Sequence, residues 1–133
     1  MKRLIALLAP FLIWGGVTFA DADKVQTVIQ SQLNAFQVDD FDGAFDFAAP
    51  NIRSMFQSAD RFEQMVKGGY PMVHRHRSVT FGDYAEEQNF SSQIVNIEAM
   101  DGSVYQLRYD LTRSDGLWRI QGVQILGRTS TGA

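Results

Sequence analysis

The sequence predicts an α+β fold in which helices pack on one face of a curved, four-stranded antiparallel sheet. Two different periods of the apolar residues, one in each half of the chain, lead to this prediction. Apolar residues recur every three or four positions between about residues 23 and 69, and every second position from about residue 72 onward. Tight-turn sequences separate the alternating segments, so neighbouring strands should pair antiparallel. The helical stripes need a partner, and one face of the sheet supplies it.

The composition fits one domain with a core of its own. The chain has 133 residues, of which 45% are hydrophobic and 20% charged, and its net charge is −3. This length suits one domain and is short for two of ordinary size. The acidic balance argues against nucleic acid as a partner, which would need a basic surface. The sequence has no cysteine, which excludes disulfides, a lipid attachment cysteine and thiol chemistry.

The first twenty residues differ in kind from the rest. Lys2 and Arg3 precede an apolar run over residues 4–19, and small residues follow at Ala20 and Ala22. This layout is typical of a secretory signal peptide, and the run is short for a membrane span. We expect residues 1–20 to be removed by cleavage after Ala20, or after Ala22. The product should be periplasmic or secreted, with no stable membrane span.

Capping residues divide the helical part of the chain. Asp39 or Asp40 should cap a short helix, because cap positions favour aspartate. Pro50 suits the first turn of the next helix, where its missing N–H is no loss. Asp60 and Glu63 have the spacing of a capping box and should begin a further helix. The first helix carries an apolar stripe at Val25, Val28, Ile29, Leu33 and Phe36.

Four strands follow the helices. Asp101-Gly102 and Ser114-Asp115-Gly116 are hairpin signals between alternating segments. The single α+β domain should therefore span residues 23–126, and residues 127–133 should form a flexible tail. We predict the strands at residues 72–84, 89–99, 103–113 and 117–126.

Several fragments of the chain are similar to a known bacterial family. The most specific are Asp39-Asp40, Ala44-Phe45, Pro50-Asn51-Ile52, Met65-Val66, Gly69-Tyr70 and the run from Trp118 to Val123. They resemble the family filed as domain of unknown function 4864, over about Val25 to Ile125. The order of elements also looks like the cone-shaped fold of nuclear transport factor two and the cystatin-like folds. The resemblance implies an exported α+β domain and a homodimer formed through the sheet, and it brings no catalytic residues.

The segment from Met72 to Val79 holds both histidines of the chain. On a regular strand His74 and His76 share one face, while Arg77 lies on the other face beside Val79. A histidine pair is half of a zinc site, but only carboxylates are left to complete it. We therefore expect solvent-facing histidines and no metal, with metal binding through His74 and His76 as an alternative. Arg77 is a candidate for holding a carboxylate or phosphate at the mouth of the cone, or else it extends to water.

Four further residues are candidate ligand contacts. Tyr70 and Tyr109 would be the few polar groups of an apolar pocket if the cone is not filled, and Trp118 would lie on the same inner face. Asp40 would serve as an acid in the cavity. Each also has a structural interpretation, as core for the aromatic residues and as a helix cap for Asp40.

These features favour a non-enzymatic module that binds a small apolar or anionic ligand between helices and sheet, or that pairs with a protein through the sheet's outer face. One alternative is a cofactor-free isomerase or lyase with an aspartate or a tyrosine as proton carrier. The sequence has no serine nucleophile elbow, phosphate loop or dinucleotide fingerprint. We expect no cofactor.

Overall fold

A computed structural model describes residues 20–130 of the chain. In this part, the helices are α1 (Ala22–Gln37), α2 (Phe41–Asp46), α3 (Pro50–Phe56), α4 (Ala59–Gly69) and α5 (Pro71–His74). The strands are β1 (His76–Glu87), β2 (Phe90–Ala99), β3 (Val104–Ser114) and β4 (Leu117–Thr129). They form one sheet in the order β1-β2-β3-β4, and all neighbours are antiparallel. The predicted α+β class is therefore confirmed.

The predicted signal peptide lies outside the described residues except for Ala20, and so do the last three residues of the predicted tail. Within residues 20–130, no helix is long and apolar enough to cross a membrane.

Helix α1 supplies more buried hydrophobic residues to the core than any other described helix. Four of its predicted stripe residues are buried, and Val28 is partly buried. Burying an aliphatic or aromatic side chain of this kind contributes about 1.5–3 kcal/mol, so the stripe favours the packing of α1 on the rest of the core. The stripe contains one polar residue, Gln32, which is also buried.

The predicted helix starts are confirmed at two of three places. Asp40 caps α2, and its side chain accepts a hydrogen bond from the backbone N–H of Gly43 at 3.0 Å. Pro50 occupies the first turn of α3. The capping box predicted at Asp60 is wrong, because Ser58 is the cap of α4 and accepts from the N–H of Arg61 at 3.3 Å.

The inner face of the sheet follows the predicted alternation on β3. Leu107, Tyr109 and Leu111 are fully buried there, and Tyr105 is partly buried. The β3–β4 hairpin turns through Asp115 and Gly116, both of which have positive φ. This is the two-residue turn whose twist matches that of the flanking strands.

The first strand begins later than predicted. Residues 71–74 form helix α5 because Pro71 starts a helical turn, and β1 runs from His76 to Glu87. His74 and His76 therefore do not share a strand face. A register shift between His76 and Ser78 also moves Arg77 off the predicted alternation, and its side chain is exposed.

The last strand changes facing at a bulge. Leu111 pairs with Ile120 and Asp110 pairs with Gly122, so Gln121 is an extra residue in β4. Before the bulge Trp118 and Ile120 face the core, and after it Val123 lies opposite Tyr109. The alternation of the first part of β4 therefore does not continue past Gln121, and Leu126 is 44% exposed. Strand β4 also continues to Thr129, past the residue at which we predicted its end.

Candidate functional site

The helices and the sheet do not fill the space between them. They leave an apolar cavity of about 330 Å³ beneath α1, α3, α4 and α5 and above β3 and β4. Among the described residues that line this cavity, none is charged. Its lining residues are Gln32, Phe36, Ala48, Ile52, Met55, Phe56, Phe62, Met65, Val66, Tyr70, Val73, Tyr109, Ile120, Gly122 and Val123.

Tyr109 places a hydroxyl in this apolar lining. The residue is fully buried in the middle of β3, and the hydroxyl has no hydrogen-bond partner among the described residues. Burial raises the pKa of the Tyr109 phenol, and the nearby Tyr70 raises it further, so the group stays protonated and can donate. A buried donor without a partner is uncommon, because it loses its hydrogen bonds to water and gains none in return. The Tyr109 hydroxyl is therefore a polar group of the lining that the described fold leaves unsatisfied.

Two other polar side chains line the cavity, and the fold fixes both. The Tyr70 hydroxyl donates to the backbone oxygen of Val123 at 3.0 Å, which ties the end of α4 to β4. The amide nitrogen of Gln32 donates to the backbone oxygen of Ala44 at 3.1 Å. The polar groups in the lining are thus a phenol, a tethered phenol and an amide, and none of the three is a charged side chain.

Helix α3 forms the outer wall of the cavity. None of its residues is fully buried, although Ile52, Met55 and Phe56 line the cavity. Met55 is 66% exposed although it lines the cavity, so at this residue one side chain separates the cavity from solvent. The helix is fastened at its start, where the Asn51 side chain donates to the backbone oxygen of Gln121 at 3.1 Å.

The structure brings together only two of the predicted ligand contacts, Tyr70 and Tyr109. Arg77 is exposed on β1 and is not among the described lining residues, because the register shift turns it away from the cone. Asp40 is exposed and is engaged as the cap of α2. Trp118 is buried at the other end of the sheet, where its indole N–H donates to Asp21 at 2.9 Å.

The two histidines serve different elements. His74, at the end of α5, contacts Oδ1 of Asp39 at 2.7 Å, and Arg75 donates to both oxygens of the same carboxylate at 3.0 and 3.1 Å. His76 begins β1, and burial lowers its pKa, while a hydrogen bond that the ring donates to the backbone of Val73 acts in the opposite direction. Within the described residues no group of three or more histidines, aspartates and glutamates is placed to hold a metal ion.

The contacts of Asp39 with His74 and Arg75 make the stability of the fold depend on pH. Its hydrogen bonds from His74, then those from Arg75, hold the pKa of Asp39 below the ordinary value of 3.8. A carboxyl with a depressed folded-state pKa stabilises the fold above its unfolded pKa, and that contribution disappears as the pH falls through the folded pKa. We expect the melting temperature of Asp39→Asn to be lower than that of the wild type at pH 6, and the gap to close below about pH 4.

Melting curves between pH 2.5 and 7, at roughly half-unit steps, check this expectation across the carboxyl range. Asp83→Asn, at an exposed position on β1, is the matched control. A gap between wild type and Asp39→Asn that stays constant down to the lowest pH would contradict the assignment.

Several residues of the cavity lining were not predicted from the sequence. Gln32 lies three positions after Ile29 and four before Phe36, within the buried stripe of α1. A polar side chain at a core position of a helix is the signal that marks it. Ile52, Phe56 and Phe62 gave no such signal, since apolar helical residues pack against a filled core and line a cavity in the same pattern.

The fold and the cavity define a class, namely a small α+β domain with an apolar pocket between its helices and its sheet. The chain belongs to the family described as domain of unknown function DUF4864, whose family model matches residues 18–133. No curated protein matches the chain.

Two solved structures are similar to this one. A SEC-C motif-containing protein from Rhodopseudomonas palustris has a TM-score of 0.52 at 13% identity, covering 80% of this chain and 92% of its own. A crystal structure of a protein from Kribbella flavida has a TM-score of 0.49 at 16% identity, covering 79% of this chain and 87% of its own. At identities this low a similarity shows the fold alone, and only the Rhodopseudomonas palustris structure has a TM-score high enough for its fold to be compared with this one.

Proposed function

We propose that this is an exported protein whose cavity binds a small, neutral and mainly apolar molecule that carries one hydrogen-bonding group. The observation that carries this proposal is Tyr109, a residue of the cavity lining whose buried hydroxyl has no hydrogen-bond partner among the described residues. A ligand oxygen or nitrogen at that point would satisfy the hydroxyl, and the apolar lining would bury the rest of the ligand. Few polar groups in an apolar pocket is the usual composition of a small-molecule site.

The lining also selects against charge. Placing an ion in an apolar cavity without an opposite charge costs several kcal/mol, and the described lining offers no charged side chain. An anionic ligand depended on Arg77 at the mouth of the cone, and that side chain lies elsewhere. The cavity volume of about 330 Å³ is near the lower end of the range of roughly 300–1,000 Å³ for ligand sites, which suits a small molecule.

Export rests on the sequence of residues 1–20, which has the basic start, apolar run and small residues of a signal peptide. The first described helix begins at Ala22, close behind that segment in the sequence. The absence of cysteine from the sequence makes the fold independent of the redox state of the compartment that receives it.

Filling the cavity should abolish binding. Val123 lines the cavity opposite Tyr109, so Val123→Phe places a ring where the ligand would lie. A screen of neutral phenols, alcohols and cyclic ketones by thermal shift supplies the probes. A probe at a hundred times its Kd should stabilise the wild type by about 2.7 kcal/mol, and this gain should be lost in Val123→Phe.

Gln124→Phe is the matched control, because it adds the same ring one residue away at an exposed position. It should keep the full response to the probe. The proposal fails if no neutral probe stabilises the wild type, or if Val123→Phe responds as strongly as the control.

A cofactor-free isomerase or lyase is the second candidate function. Tyr109 favours it, because a protonated, desolvated phenol can donate a proton or hydrogen bond to a substrate oxygen. Such an enzyme also needs a base, and no carboxylate or imidazole is present among the described lining residues. Binding without turnover therefore accounts for more of the observed site.

A further inference from the structure

The first described residues are built into the fold through Asp21. Its carboxylate accepts a hydrogen bond from the indole N–H of Trp118 at 2.9 Å, and it also pairs with the guanidinium of Arg113. Only 14% of the Asp21 side chain is exposed, so these contacts are largely screened from water. The Arg113 guanidinium also stacks over the Trp118 ring at 4.7 Å. Asp21 therefore belongs to the folded domain.

The backbone of Asp21 has a structural role as well. Asp21 is the cap residue of α1, and its carbonyl oxygen accepts the hydrogen bond from Val25 N–H at 2.9 Å. The peptide bond between Ala22 and Asp23 lies inside the first turn of that helix. Cleavage after Ala22 would remove both the cap and the partner of the buried Trp118 indole. Cleavage after Ala20 would remove neither.

The backbone nitrogen of Asp21 lies near a carboxylate. It is 3.4 Å from Oε1 of Glu86 on β1, which also accepts a hydrogen bond from the Tyr84 hydroxyl at 2.8 Å. Hydrolysis of the Ala20–Asp21 bond adds one water, leaves the new carboxyl group on Ala20 and leaves an amine on Asp21. At neutral pH that amine takes up a proton and becomes an ammonium group. It would then lie beside an existing negative charge.

We infer that the mature protein begins at Asp21 and that its new α-ammonium group forms an ion pair with Glu86. The inference rests on the proposed export, and it selects between two cleavage sites that the sequence leaves open. Thr18-Phe19-Ala20 and Ala20-Asp21-Ala22 both fit the small-x-small pattern of cleavage sites, so the pattern by itself does not choose between the two bonds. The contacts of Asp21 favour the first bond, because only that product keeps them.

The intact mass of the exported product tests the cleavage site. The full chain is expressed in a bacterial host, recovered from the periplasm and weighed by mass spectrometry. The expected mass is that of residues 21–133. A mass of residues 23–133 overturns this inference and leaves the proposed export standing. A full-length chain that stays in the cytoplasm overturns both.

The ion pair is tested on the recovered product by comparing wild type with Glu86→Gln, which keeps an acceptor for Tyr84. An amine that gains a carboxylate partner has a raised folded-state pKa. Its contribution is therefore complete below about pH 8 and lost as the pH rises through the folded pKa. The melting temperature of the wild type should exceed that of Glu86→Gln at pH 6, and the difference should shrink by pH 10.

The other charged groups nearby leave this comparison clear. Arg113 is present in both proteins, so its contacts with Asp21 and Trp118 are common to them. Burial raises the pKa of Tyr84, which keeps that phenol protonated. Lys24, 3.9 Å from Asp21, is 75% exposed and is the same in both proteins. A difference between the two proteins that does not change from pH 6 to pH 10 overturns the ion pair.

Discussion

Tyr109→Phe should make the free protein more stable and its ligand binding weaker. The hydroxyl is buried without a partner in the described structure, and an unsatisfied buried polar group costs about 1–3 kcal/mol. Removing it should therefore raise the free energy of unfolding by about 1 kcal/mol or more. The same change removes the polar contact to the ligand, which should lower affinity about tenfold, since 1.4 kcal/mol corresponds to a factor of ten.

Urea unfolding and calorimetric titration with a stabilising probe measure the two effects separately. Tyr105→Phe is the matched control, because Tyr105 lies on the same face of β3 and does not line the cavity. It should leave the affinity unchanged. Lower stability of Tyr109→Phe in the absence of a ligand would mean that the hydroxyl is satisfied within the fold, and the main support of the proposed site would be lost.

Asp21→Ala should reduce the free energy of unfolding by about 2–3 kcal/mol. The change leaves the buried indole N–H of Trp118 without its acceptor, which costs about 1–3 kcal/mol, and it also unpairs Arg113. Asp21→Asn should cost less, because its amide oxygen can still accept from the indole. Asp23→Ala, at an exposed position in the first turn of α1, serves as the control.

Chemical denaturation followed by Trp118 fluorescence reports this directly, because the probe is the residue whose environment changes. The order of stability should be wild type, Asp21→Asn, then Asp21→Ala. Equal stabilities of wild type and Asp21→Ala would show that the N-terminal contacts add nothing to the fold, and cleavage after Ala22 would then be equally acceptable to the domain.

The sequence predicted the parts of the fold that depend on periodicity and on turn chemistry. The stripe of α1 and the alternation of Leu107, Tyr109 and Leu111 each reflect one buried face, so the period reports the structure. Asp115-Gly116 was readable for a similar reason, because both positions need positive φ and these residue types adopt it readily.

The errors arose where one residue changes the count along a strand. The extra residue at Gln121 and the shift after His76 each exchange the two faces of their strands. A bulge is stabilised by its neighbours in the sheet, and the residues at these positions carry no local signature of it. The predicted facing of Arg77 failed for this reason, and the expectation of an anionic ligand depended on it.

The sequence could not predict whether a cavity exists; it could only indicate which residues would line one. Tyr70 and Tyr109 were candidates provided that the cone was not filled, and filling depends on how helices that are distant in sequence approach the sheet. The apolar residues Phe62 and Val66 of α4 have the same spacing whether they contact other side chains or line an empty space.

The shallow seating of α3 bears on how a molecule would reach the interior. Moving α3 outward would expose no fully buried side chain of its own, and it would break the Asn51–Gln121 hydrogen bond. Such a local opening costs less free energy than unfolding the whole domain. The rate of entry and exit would then be set by a seven-residue helix, while α1 and the sheet keep their packing. Residence time and thermal stability could thus vary independently among relatives of this protein.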